Sequence, residues 1–88
     1  ADLTKQFTDI VQKWMDDIVK KKNYDNVGSV VTYINSTDAV FKAEAVAVNE
    51  WRDKVWRHCY SVVNAVVSGE RAIPSTNELL KELPALEW

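Results

Sequence analysis

Between Ala39 and Ser68, Phe41, Ala45, Val48, Trp51, Val55, Cys59, Val62 and Val66 recur at steps of three and four. That spacing is the period of one face of a helix, and the rest of so short a chain has to fold around it. Trp56, Tyr60, Val63 and Val67 form a second stripe displaced to one side, with Glu50, Asp53, Arg57, Asn64 and Ser68 opposite. The combined apolar arc is wider than a helix resting on one neighbour needs. Such a helix is either covered on two sides or offers one flank to another chain. Its many valines are mediocre helix formers, so packing rather than propensity must hold it. Gly69 comes directly after it as the natural residue to end it.

The remaining segments also read as helical. From Leu3 to Val19 the apolar positions Leu3, Phe7, Ile10, Val11, Trp14, Met15, Ile18 and Val19 define one face. Asp2 reads as its N-cap, and Lys20-Lys21-Lys22 as a C-terminus whose cations offset the helix dipole. Asn23 to Asn26 is a turn-rich break in which Asp25 or Asn26 can cap the next segment. Val27 to Ile34 has strand propensity at Val30 to Ile34, but a strand there would have no partner, so a short helix is expected. Asn35-Ser36-Thr37-Asp38 offers several N-caps for the long helix. Ser75 and Glu78 have capping-box spacing ahead of Leu79, Leu80 and Leu83, and Pro84 stops that helix. The predicted fold class is all-α: a single small domain of three to four helices around one long central helix.

Composition narrows the function. The 88 residues are 47% hydrophobic and 27% charged, which suits a globular domain with one modest core. A net charge of −2 argues against nucleic acid as the partner, because phosphate binding needs clustered surplus Lys and Arg. No apolar run reaches membrane-spanning length and the opening residues do not read as a signal peptide, so a soluble protein made in the cytoplasm is expected. A single cysteine cannot form an internal disulfide.

No set of residues reads as an active site. His58 and Cys59 are adjacent, so on a helix their side chains diverge by roughly 100° and suit neither a shared metal nor a nucleophile pair. His58 is expected at the surface or an interface, and Cys59 in the core. Asp16 with Asp17, and Glu50 with Asp53, each have a Lys or Arg close in sequence, so surface ion pairs are expected. Glycine-rich phosphate loops and catalytic serine motifs are absent from the sequence. No catalytic residue, cofactor or metal is therefore assigned, and a non-enzymatic role is expected.

Four pieces carry a resemblance. They are Lys22-Asn23-Tyr24-Asp25-Asn26; Thr32-Tyr33-Ile34-Asn35-Ser36 running into Phe41-Lys42-Ala43-Glu44; Trp51-Arg52-Asp53-Lys54-Val55-Trp56 with Cys59-Tyr60; and Gly69-Glu70-Arg71-Ala72-Ile73-Pro74-Ser75 leading to Glu82-Leu83-Pro84 and Trp88. In this order they resemble the C-terminal module of small proteins of tailed bacteriophages and prophages, encoded beside tail and tail-fibre genes. The likeness runs over residues 6–88, and other members often carry a further N-terminal segment. It implies a virion tail component, made in the bacterial host cytoplasm, that docks on tail or tail-fibre proteins and is able to form homo-oligomers. A tail-fibre assembly chaperone absent from the virion, and a regulatory or host-directed binding domain, are the alternatives. The contact residues expected from the over-wide arc and the last aromatic are Trp51, Trp56, Tyr60 and Trp88, with Arg52 at the rim.

Overall fold

A computed structural model describes residues 3–88. Among them are four α-helices and no strand: α1 (Leu3–Val19), α2 (Val27–Val31), α3 (Ala39–Val67) and α4 (Thr76–Glu82). A helix rises about 1.5 Å per residue, so the 29 residues of α3 account for nearly all of the molecule's 47 Å long axis. The all-α bundle around one long helix is the fold that the periodicity indicates.

α1 lies antiparallel on α3: Trp14 meets Trp51, and further along α1's direction Lys22 meets Glu44. Phe7, Val11, Met15 and Val19 of α1 interdigitate with Ala45, Val48, Trp51, Val55, Cys59, Val62 and Val63 of α3. Val27 and Val30 of α2 close one end of this core, and Leu79 and Leu83 join it from the chain's last quarter. The α3 valines at 48, 55, 62 and 63 are all buried, so packing offsets their weak helix propensity. Phe41 and Val66 are exceptions to the sequence stripe. Phe41 is exposed and Val66 half-buried, because both sit near the ends of α3, where its neighbours no longer cover it.

The helix ends arise from local chemistry, with some corrections. The lysine run is not the last turn of α1 but a separate 3₁₀ turn, Lys20–Lys22, stopped by Asn23 in the left-handed region at φ 67°. The Asp2 cap lies outside the described residues. Asn26, rather than Asp25, caps α2 by accepting from the Ser29 N–H at 2.8 Å. Asp16 adds a second cap from α1, its carboxylate accepting the Val27 N–H at 3.0 Å. α2 is shorter than Val27 to Ile34 because Tyr33 and Ile34 bond back to Val30 and Val31, turning the chain away. It is thus a helix separate from α3.

Asp38 caps α3 by accepting from the Val40 and Phe41 N–H groups. At the other end Gly69 takes φ 81°. Its N–H reaches the Val66 carbonyl, and the Glu70 N–H reaches that of Ala65 at 2.9 Å. This is the paired closure that a left-handed residue after a helix permits. Ser75 and Glu78 form the reciprocal capping box expected for α4.

Candidate docking surface

The sequence fragments that carry the resemblance meet in space as fasteners between distant segments. Tyr24 from the turn after α1 donates to Glu44 of α3 at 2.9 Å, and Lys22 pairs with the same carboxylate at 2.8 Å. The Lys22 ammonium also lies 4.9 Å from the centre of the Trp88 ring, which packs against Tyr24 at 6.0 Å. Burial and the bond to Glu44 push the Tyr24 hydroxyl up to about 12. Lys22 chiefly, with Tyr24, holds the Glu44 carboxyl below its usual range. Trp88 thus tucks onto its own chain, half-buried rather than free. From this cluster aromatic rings continue outward through Tyr33 to the exposed Phe41, at spacings of 5.9 and 5.4 Å.

Trp51 is corrected from contact residue to core residue. It is 4% exposed, leans on Trp14 at 5.6 Å, and donates its indole N–H to the Pro84 carbonyl at 2.7 Å. Its burial and the use of its indole N–H within the chain leave almost none of the ring for a partner. The same bond pins the segment after α4 across α3.

Arg52, Trp56 and Tyr60 do come together, along one flank of α3. Each is four residues from the next, which stacks them on one side of a helix. Arg52 is held by Asn49 at 3.0 Å, and the Trp56 and Tyr60 rings stack at 6.0 Å. Trp56 is half-buried, Tyr60 is 49% exposed, and Val67 further along is 76% exposed. Of the second stripe only Val63 is buried, because α1 covers the core face of this part of α3 and leaves the flank open. Trp88 belongs to the opposite end of the helix, near Glu44. The expected contact set is therefore divided into a flank, an end and a core ring.

Away from these surfaces, Arg71, Glu82 and His58 form a structural junction. Arg71 grips Glu82 through two bonds of 3.0 and 2.9 Å, and His58 Nε2 lies 3.1 Å from the same carboxylate. Arg71 above all, with His58, holds the Glu82 carboxyl down to about 2. This junction ties α3, the loop after it and the end of α4 together, a role that the adjacency of His58 and Cys59 does not suggest. Cys59 is fully buried and its thiol is pushed up by burial, the reverse of what a nucleophile needs. Asp17 forms the expected surface pair with Lys13 at 2.8 Å, but Asp16 serves as the α2 cap instead. Glu50 and Asp53 form no ion pair among the described residues, contrary to expectation.

Among the described residues no group of three or more His, Cys, Asp or Glu side chains is placed to hold a metal ion. No described helix is long and apolar enough to cross a membrane. Comparison with protein-family models, with curated proteins and with solved structures finds no match to this chain.

Proposed function

We propose that the chain is a non-enzymatic component of a bacteriophage tail, a small helical protein that docks on tail or tail-fibre proteins. The observation that carries the reading is a division among the residues of the phage-like fragments. Tyr24, Glu44, Trp51, Arg71, Glu82 and Trp88 are committed to internal contacts. Tyr33, Phe41, Tyr60 and Ile73, from the same fragments, keep 40–64% of their surface in solvent. Large exposed aromatics concentrated on one helix and its approach are suited to protein contact.

Mass spectrometry of purified particles from the phage or prophage encoding the chain tests this reading. A tail component is present at fixed stoichiometry. If the protein is absent from particles but required for soluble fibre, the assembly-chaperone reading replaces it. A protein with no affinity for any tail or fibre protein sinks both.

A further inference from the structure

We propose that two copies of this chain pair antiparallel along the outer face of α3, with Glu50 of each copy facing Arg57 of the other. The proposal starts from a pattern distinct from the core stripe. Val46, Asn49, Asp53, Trp56 and Tyr60 recur at steps of three, four, three and four on the side of α3 turned from α1. At 3.6 residues per turn these positions keep within an arc of about 80°, the narrow seam that a second helix covers. Val46 and Tyr60 are both exposed there, and Trp56 is half-buried at the margin.

Charge selects the occupant. Glu50 and Arg57 lie seven residues apart along one edge of this seam, so they share a side of the helix. Both are exposed, and neither has an ion-pair partner among the described residues. An edge that is negative toward one end and positive toward the other is complementary to itself under an antiparallel twofold axis. The register that brings Glu50 onto Arg57 also sets Val46 of one copy opposite Tyr60 of the other. It lays Trp56 over the second copy's Asn49 and Asp53, whose side-chain oxygens can accept from the indole N–H. Apolar surface and the Glu50–Arg57 edge charges are thus matched at one setting, each contact occurring twice, while the two Asp53 carboxylates meet near the axis and set a repulsion that these contacts must exceed. The pairing involves α3 alone, does not rest on the tail reading, and leaves the exposed Tyr33 and Phe41 free for another partner.

Sedimentation of the purified chain over a concentration series, with helix content monitored by circular dichroism, tests the pairing. The expected species has twice the 10.1 kDa chain mass at the upper concentrations. Glu50→Arg alone and Arg57→Glu alone each replace two attractions with two repulsions and weaken pairing roughly tenfold. Mixing the two variants restores it, because each reversed charge then meets its opposite in the mixed pair. A chain that stays monomeric throughout, single variants that pair as the parent does, or a mixture that fails to recover would each overturn the proposal.

Discussion

The two ends of α3 are built differently. Near its start, Glu44 is held by Lys22 and Tyr24, and Trp88 closes over them from the far end of the sequence. Toward its end, Trp56, Tyr60 and Val67 line a flank that no other element crosses, although α1 and the Arg71–Glu82 junction occupy the other side. The same kinds of residue, aromatic and charged, hold the fold at one end and face solvent at the other. What separates them is whether another segment arrives to satisfy the polar edge and bury the ring. An aromatic residue within a recognisable fragment is therefore not by itself a contact residue; Trp51 is buried and bonded within the chain, while Trp56, five positions on, is half-buried at the edge of the core.

Substitutions should expose this difference directly, and the largest effect belongs to the core ring. Trp51→Ala leaves a cavity against Trp14 and frees the Pro84 carbonyl, and is expected to lower unfolding free energy by about 3–5 kcal/mol in urea denaturation. Next is the fastened end: Trp88→Ala removes the ring against Tyr24 and beneath Lys22, for about 1–2 kcal/mol by the same measurement.

The Glu82 junction adds a pH dependence of similar or smaller size. Its carboxyl titrates at about 2 in the folded chain against an ordinary value of 4.5. Because the folded value is the lower one, the stabilisation is complete above about 4.5 and is lost as pH falls towards about 2. The groups are about one-third exposed, so solvent screening reduces the contribution to about 1 kcal/mol. Melts across that range should show this loss in the parent and not in Glu82→Gln. Smallest is the open flank, where Tyr60→Ala should change the stability of the monomer by no more than about 0.5 kcal/mol.

How much of the fold and of the docking surface is legible in the sequence depends on the range of the interaction. Gly69, Ser75 and Glu78 act within a few residues of themselves, and their spacing alone identifies the helix ends that they make, while the run Asn35 to Asp38 places the start of α3 without singling out Asp38 as its cap. The core positions of α3 can be read from its period in the same way, except near the ends, where Phe41 keeps the period but has lost its cover. The long-range fasteners are not legible. Asp16 reads as half of a surface carboxylate pair until α2 folds back and presents the Val27 N–H to it. Glu82 and Arg71 are ordinary loop and helix charges until the turn at Gly69 brings them beside His58. Of the expected contact residues, the flank positions Arg52, Trp56 and Tyr60 are given by four-residue spacing. The burial of Trp51 and the tucking of Trp88 depend on where the tail after Pro84 crosses α3, and no local signal fixes that path.

The central claim is that the outer flank of α3 is kept for association while the fastened side maintains the fold. Its most direct test is to measure unfolding free energy and sedimentation mass on the same preparation of Tyr60→Asp. The expected result is a chain that melts like the parent monomer but no longer self-associates. If Tyr60→Asp unfolds the chain as Trp51→Ala does, or associates as the parent does, the flank has been misassigned.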